Sequence, residues 1–249
     1  MNVVVAMKQI PDLQQIRIKN RQPVFDDVPL TFGSIDKNAL EAGVNLKENG
    51  LADKVIVLSA GNEDLEDTIK EALAAGADEA FLILGDDLNG AESSVIAQVL
   101  TAGIKQIEDV GLILFGEGSG DNYSGQVGSR VAEILGWPQV GYAGAVKVEG
   151  NKAVVTRVLE DAEEVVEVSL PAVITVVSGI NEARIPSVTQ ILKAGKKPKE
   201  IVEEDELDEI NKDALITTVS NLAPESDRKR VVVKSTAELV DKLKSENMI

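Results

Sequence analysis

The sequence contains neither cysteine nor histidine, and each absence removes whole classes of function. Without cysteine the chain can form no disulfide, no thiolate metal site and no cysteine nucleophile. Without histidine it lacks the most frequent general base and metal ligand, so a Ser-His-Asp triad is impossible within it. We therefore expect no catalytic side chain and no metal site, which favours a binding or carrier role.

Aromatic residues are scarce as well, at 3% of the chain. The core must therefore consist of Val, Ile, Leu and Ala, and stacking platforms for bases are almost missing, which argues against single-stranded nucleic-acid binding. Basic residues are outnumbered by acidic ones, so that the net charge is −17. Because such a chain repels polyanions, nucleic acid and anionic membranes are not expected as partners.

Long hydrophobic runs are also missing. The start, from Met1 to Ala6, is apolar but has no basic region, and Lys8 follows at once. This is not the pattern of a signal peptide, and no run approaches the ~18 apolar residues of a membrane span. We expect a cytoplasmic protein without direct membrane insertion. A length of 249 residues suits one domain with a smaller appendage.

A glycine-rich segment, Phe115 to Gly128, is the most informative feature that is present. It follows an apolar run typical of a buried strand and leads into a predicted helix, Val127 to Leu135. Glycine lets backbone approach a ligand closely, and a helix N-terminus offers free N–H groups to a phosphate. The segment matches neither GxGxxG nor a Walker A loop. An isolated glycine cluster is usually a plain flexible loop, but this position at a strand's carboxyl end favours nucleotide binding.

Strands and helices alternate in the first part of the chain, which predicts an α/β fold. The expected form is a Rossmann-like parallel sheet with helices on both faces. Strands are predicted at 2–7, 54–60, 80–84 and 112–115, and helices at 34–49, 61–75, 93–107 and 127–135. The loops after the first and fourth strands should be neighbours across a ligand crevice.

After Pro138 the pattern changes to closely spaced strands, which predicts an antiparallel extension of the sheet. These strands are predicted at 141–148, 152–159, 164–170 and 172–177, and an edge hairpin is expected around Arg17 and Val24. A short helix is predicted from Pro186 to Ala194, and the charge run that follows, up to Glu209, predicts a solvated linker.

The C-terminal part is predicted as a separate arm. A strand is expected from Arg230 to Lys234, followed by a capping box at Ser235 that opens a helix from Ala237 to Lys244. We therefore divide the chain into a nucleotide-binding α/β domain, 1–200, and a linker with a C-terminal arm, 201–249. This arm either packs on its own domain or docks on a partner subunit, and we expect the partner.

Three longer motifs together resemble the β subunit of electron transfer flavoproteins. They are Asp121 to Gly128 with Leu135 to Gln139 downstream, Arg157 to Glu164 with Leu170 to Thr175, and Asn181 to Ala194. The resemblance implies a heterodimer whose α subunit holds most of the redox-active FAD. This subunit would supply one wall of that site and a nucleotide site of its own. The nucleotide is AMP in the housekeeping type, or a second FAD that accepts hydride from NADH in the electron-bifurcating type.

The resemblance also implies which residues form the nucleotide site. They are Ala6, Asp36, Ala60, Gly116, Asp121, Asn122, Tyr123, Ser124, Gly125, Gln126 and Val127. Gly33-Ser34 departs from the Asn-Pro that the family often has, and Ser129 replaces a proline of the bifurcating pattern. Val127 stands where the AMP type carries threonine, which favours FAD, yet both nucleotides stay open.

The resemblance implies that the protein is an electron carrier rather than a stand-alone enzyme. It would oxidise NADH only if it is of the bifurcating type. Dehydrogenases would dock near Arg184 and Val188, where the family has an exposed leucine, and a quinone reductase or ferredoxin-type protein would accept electrons. The plain alternative is that Val188 packs on the sheet.

A different functional class, an adenine-nucleotide sensor of the universal-stress-protein kind, would explain the first strand and the glycine segment only. A PP-loop ligase would need a Ser-Gly-Gly-x-Asp type of loop after the first strand, which is not present.

Overall fold

The computed structural model of the chain describes residues 1–207, 210–225 and 230–249. Its contacts divide these residues into two units, which are described separately. The larger consists of Met1–Ile16 and Phe25–Val219, and the smaller of Arg17–Val24 and Ser220–Ile249. Asp208 and Glu209 of the predicted linker lie outside the described residues. The functional division at residue 200 stays a prediction.

The strands and helices of the described residues have the following bounds. The strands are β1 Asn2–Ala6, β2 Gln9–Pro11, β3 Arg17–Lys19, β4 Gln22–Val24, β5 Leu30–Phe32, β6 Lys54–Gly61, β7 Glu79–Leu84, β8 Val110–Gly116, β9 Gln139–Glu149, β10 Lys152–Val158, β11 Glu163–Ser169, β12 Ala172–Val176 and β13 Lys199–Glu203. The helices are α1 Ser34–Glu48, α2 Leu65–Ala74, α3 Ser93–Ile104, α4 Val127–Leu135, α5 Val188–Ala194 and α6 Thr236–Ser245.

A nine-stranded sheet forms the centre of the larger unit, in the order β11-β10-β9-β12-β8-β1-β6-β7-β13. β1 pairs in parallel with both β6 and β8. The chain continues from β1 to β6 and β7 on one side, and β8 lies on the other. Strand order therefore reverses between β1 and β8, which is where open α/β sheets bind ligands.

Helices cover both faces of the sheet. Because of this, β1 is a continuous apolar strand whose side chains alternate between two cores. Val3 and Val5 pack into the cluster that includes α1 and α2, whereas Val4 and Ala6 pack into the cluster that includes α3 and α4. Val3, Val4 and Val5 are completely buried. The predicted α/β fold with helices on both faces is confirmed.

The antiparallel extension is confirmed for β10, which pairs antiparallel with both β9 and β11. The prediction for β12 was wrong in direction, because β12 runs parallel to β8 and to β9 and lies between them. Four of its five residues are buried, as a central strand requires.

Two further predictions from charge and composition were wrong. The start of the predicted linker, Lys199–Glu203, is the edge strand β13, which pairs in parallel with β7. Lys199, Glu200 and Glu203 place charges on this edge strand, where charge is common because it prevents unwanted pairing. Conversely, Arg230 to Lys234 forms no strand. Its three consecutive valines have no described strand to pair with.

The smaller unit contains the predicted hairpin, formed by β3 and β4. Arg21 at its turn donates to the carbonyl oxygen of Ala223, at 2.8 Å, and pairs with Glu225, at 2.6 Å. The hydroxyl of Ser235 caps α6 by accepting from the N–H of Glu238. The Glu238 carboxylate accepts from Lys234 and not from Ser235, so the capping box is only half formed. None of the helices in the described ranges is both long and apolar enough to cross a membrane.

Candidate functional site

An open cavity of about 960 Å³ lies at the carboxyl ends of β1, β6 and β8, in the crevice where strand order reverses. This volume includes space that is open to solvent. Nine of the predicted site residues line it, namely Ala6, Asp36, Ala60, Gly116, Asn122, Ser124, Gly125, Gln126 and Val127. Two predicted residues, Asp121 and Tyr123, are not among the lining residues.

Asp36 lies in the first turn of α1 and holds the two sides of the crevice together. Its carboxylate accepts from the backbone N–H of Lys8, at 2.8 Å, and from that of Gly116. A Cβ at Gly116 would lie 2.6 Å from the Asp36 carboxylate, so only glycine permits this contact. Burial raises the pKa of Asp36 to about 7, although the two N–H groups oppose that increase.

The glycine segment between β8 and α4 is folded by its own polar groups. The Asn122 side-chain oxygen accepts from the Ser119 hydroxyl, at 2.9 Å, and from the N–H of Ser124, at 3.4 Å. Gly125 has a φ of +64°, which a residue with a Cβ adopts only with strain. Tyr123 has a φ of +48° nevertheless, and its side chain is 55% exposed and lies against Gly118. The hydrogen bond to Glu117 raises the pKa of its hydroxyl.

The N-terminus of α4 opens into this cavity. Among the described residues no side chain caps it, because the Gln126 oxygen accepts from Arg130, at 2.7 Å, and not from the first turn. A Cβ at Gly128 would approach the Thr175 methyl group to 2.7 Å, so glycine is required for this helix to start close to β12. The first N–H groups of α4 are thus available to an anion.

Lys8, which the sequence did not predict as a site residue, brings a positive charge to the cavity. Of the described lining residues it is the only one with a cationic side chain. Its ammonium group pairs with Asp121, at 2.5 Å, across the mouth of the crevice. Burial alone would raise the pKa of Asp121, but hydrogen bonds from Lys8 and Ser119 keep it below the usual value. Asp121 thus acts on the site through Lys8.

An apolar wall of the cavity was also missed. It consists of Leu88 and Ala91, in the loop after β7, together with Ile96 and Leu100 of α3. The rule that ligands bind at strand carboxyl ends applies to β7 as well and would have found the loop. Glu92 caps α3 there, and hydrogen bonds from Ser93 and Ser94 lower its pKa to about 2.

The two predicted docking residues lie apart from the cavity. Val188, at the start of α5, is 74% exposed, so the alternative in which it packs on the sheet is wrong. Arg184 is bound to α1, where its guanidinium group pairs with Glu41 and Glu48, both at 2.7 Å. It therefore differs from Val188, because its hydrogen-bonding groups are already occupied.

Comparison with known families gives one match that covers more than half of the chain. The model of the electron transfer flavoprotein domain matches residues 25–207. This range includes α1, the glycine segment, the docking residues and eight of the nine strands of the sheet; only β1 lies before it.

Individual proteins are similar over the same region or over the whole length. An electron transfer flavoprotein subunit beta of Thermoanaerobacterium thermosaccharolyticum is 33% identical, with 100% of both chains covered. The caffeyl-CoA reductase-Etf complex subunit CarD of Acetobacterium woodii is 37% identical, over 80% of this chain and 76% of its own. The mitochondrial electron transfer flavoprotein subunit beta of Arabidopsis thaliana is 33% identical, over 99% of this chain and 98% of its own. The alternative of a universal-stress-protein-like sensor gains no support from these matches.

Proposed function

Because the chain belongs to the electron transfer flavoprotein family, as a β subunit, we propose that it pairs with an α subunit to carry electrons. The heterodimer takes electrons from dehydrogenases and delivers them to a quinone reductase or a ferredoxin-type acceptor. FAD supplies the electron storage when it is bound, since a chain without cysteine and histidine has few redox or acid-base groups.

The same proposal places an adenine nucleotide, AMP or a second FAD, in the cavity between β1 and β8. The observation that carries it is the glycine segment, which joins a strand end to the uncapped start of α4 at the point where strand order reverses. In this arrangement the N–H groups of the segment and the hydroxyl of Ser124 hold the phosphate. Lys8 adds the positive charge.

Small side chains at two strand ends make room for the rest of the nucleotide. Ala6 ends β1 and Ala60 lies near the end of β6, and both line the cavity. A purine or ribose can lie against backbone there, because neither residue has a side chain beyond Cβ. The apolar wall that includes Ile96 and Leu100 then excludes water from the base. These residues bind and orient the ligand, and none is required to move a proton.

The proposal assigns partner contacts to two other regions. Dehydrogenases dock on the segment around Val188, which offers an exposed branched side chain as an anchor. The C-terminal part, 201–249, contacts the α subunit. Its helix α6 has no buried residue among those described, although Leu239 and two further apolar side chains lie along it.

Co-purification with the α subunit tests the electron-carrier proposal directly. We expect a yellow 1:1 complex whose flavin is reduced by a partner dehydrogenase and reoxidised by an added acceptor. The chain purified alone is expected to lack most of this flavin, because the α subunit holds it. A colourless monomer that retains ATP, and forms no complex with the α subunit, would contradict the proposal and support the nucleotide sensor.

A further inference from the structure

We propose that Arg184 is a positioning residue, which holds an apolar docking patch in place through α1 without contacting the partner dehydrogenase itself. The docking patch is defined as Ile185, Val188, Ile191 and Leu192. This inference rests on the proposed docking function and goes beyond it, since it gives Arg184 and Val188 different roles.

The docking patch has almost no apolar support of its own. Ile185 is 93% exposed, Val188 and Leu192 are each 74% exposed, and Ile191 is 56% exposed. The helix that carries three of them, α5, has seven residues, and Ala194 is the only one of them that is buried. A helix of this length is not stable by itself in water, so other contacts must fix its position.

Besides the packing of α5 on α2, Arg184 supplies a set of polar contacts immediately before the patch. Its Nε donates to Glu41, at 2.7 Å, and its Nη1 donates to Glu48, at 2.7 Å. Its Nη2 donates to both carboxylates, at 3.0 and 3.1 Å. Glu41 is buried and lies about two helical turns before Glu48 on α1. The hydrogen bond from Arg184 lowers the pKa of Glu48.

Polar contacts on both sides of Arg184 complete the attachment. Asn38 of α1 and Asn181 exchange two side-chain-to-backbone hydrogen bonds, at 2.8 and 3.0 Å. After Arg184, Ser187 and Gln190 form a capping box at the start of α5. The segment is therefore fixed to α1 at two points and ordered at the beginning of the patch.

The geometry leaves Arg184 little capacity to bind anything else. A guanidinium group has five N–H donors, and four hydrogen bonds to carboxylates already use both of its edges. Lysine cannot reproduce this arrangement, because its ammonium group is a point charge without a planar fork. An ordered patch also loses less entropy when a partner binds, which is how positioning would increase affinity.

The test uses the complete heterodimer and measures electron exchange with a partner dehydrogenase as a function of heterodimer concentration. We expect Arg184→Lys to raise KM about tenfold, the loss that one well-placed anchor produces, and to leave the maximal rate and the flavin content unchanged. Glu48→Gln removes the more exposed of the two carboxylates that pair with Arg184, so it should also raise KM. Arg157→Lys is the matched control, because Arg157 pairs with Glu164 on β10 and β11, at 2.7 Å.

A double variant separates positioning from direct contact. If Arg184 acts through the docking patch, Val188→Ala should raise KM less in the Arg184→Lys background than in the wild-type protein. Two effects that multiply fully would show that Arg184 contacts the partner itself and would overturn the inference. An unchanged KM in Arg184→Lys, with a raised KM in Val188→Ala, would overturn it too while leaving the docking function standing. If Val188→Ala has no effect, both the docking function and the inference fail.

Discussion

A few single residues set the shape of the crevice between the ends of β1 and β8. Asp36 accepts from backbone N–H groups on both sides, and Gly116 allows the close approach. Such a buried carboxylate is costly in its charged form, since desolvation outweighs the two hydrogen bonds. Its titration should therefore be visible in the stability of the chain.

Replacement of Asp36 by asparagine tests this directly. The pKa of Asp36 is about 7 in the folded chain, against an ordinary value of 3.8. Because the folded state keeps the proton longer than the unfolded state, this group's contribution is fully present at low pH and is lost as pH rises to about 7. We expect the free energy of unfolding of Asp36→Asn, relative to wild type, to increase as pH rises from 3.8 to about 7.

The increase should have a slope of at most about 1.4 kcal/mol per pH unit and should level off above pH 7. Urea unfolding of both proteins at a series of pH values measures it. Asp26, which is exposed, provides the control variant Asp26→Asn. A difference between Asp36→Asn and wild type that does not change from pH 5 to pH 8 would show that Asp36 is already charged in the folded chain.

A second residue-scale prediction concerns Gly116. A methyl group there would lie 2.6 Å from the Asp36 carboxylate and 3.0 Å from Ile35, so neighbouring atoms must move. We expect Gly116→Ala to lower the free energy of unfolding by about 1–3 kcal/mol, as overpacking does. Gly179→Ala is the control, because a Cβ at Gly179 meets nothing within 4 Å. Equal thermal stability of the two variants would contradict the described contact.

Nine of the predicted site residues line the cavity, and they could be predicted only through motif resemblance and the strand-end rule. Ala6 and Ala60 carry no chemistry that would mark them otherwise. Lys8 was missed because its importance depends on which side chain lies opposite, and the pairing with Asp121 joins positions far apart in the chain. Tyr123 was included because of its sequence position, yet its side chain lies against Gly118 and bonds to Glu117 and does not line the cavity.

At the scale of secondary-structure elements, periodicity predicted the helices and buried strands well. The sequence reveals that β12 is a buried strand, but not which neighbours it joins, since pairing depends on the crossover made by the preceding hairpins. β13 was missed because only two of its five residues are apolar, as an exposed edge permits. Val231 to Val233 have high strand propensity but no described partner strand, and propensity alone does not make a strand.

The helix α6 carries the prediction at this scale. Because none of its described residues is buried, deletion of residues 235–249 should leave the melting temperature of the remaining chain within about 1 °C of the wild type. The same deletion should weaken the complex with the α subunit. Size-exclusion chromatography of the co-expressed subunits measures this. The point variant Leu239→Asp should weaken the complex in the same direction, with Lys242→Asp as a control on the same helix.

A full-strength heterodimer after the deletion would show that α6 has no part in assembly. A large fall in the melting temperature would instead show that the helix stabilises the chain itself. The first result would restrict the proposed contact with the α subunit to residues 201–234, and the second would contradict the expectation that α6 is free of its own chain.

The whole molecule combines a strongly acidic chain with a site proposed for an anionic ligand. The net charge of −17 repels a nucleotide at long range. The attraction must therefore be local, from the N–H groups of α4 and the ammonium group of Lys8, within a crevice that is partly shielded from water. The affinity then depends on how closely backbone can approach the phosphate, which is a property of the glycine segment.

The measurement that tests this account most directly is the nucleotide content of the heterodimer, determined by denaturation and chromatography. We expect about one adenine nucleotide per chain, in addition to the FAD shared with the α subunit, and its loss in Gly125→Val. Gly50→Val is the matched control, because Gly50 has a similar φ of +73° and no atom near its Cβ position, so that it suffers the same backbone strain. If the Gly125→Val heterodimer retained its nucleotide as fully as the Gly50→Val heterodimer, the crevice between β1 and β8 would not be the binding site.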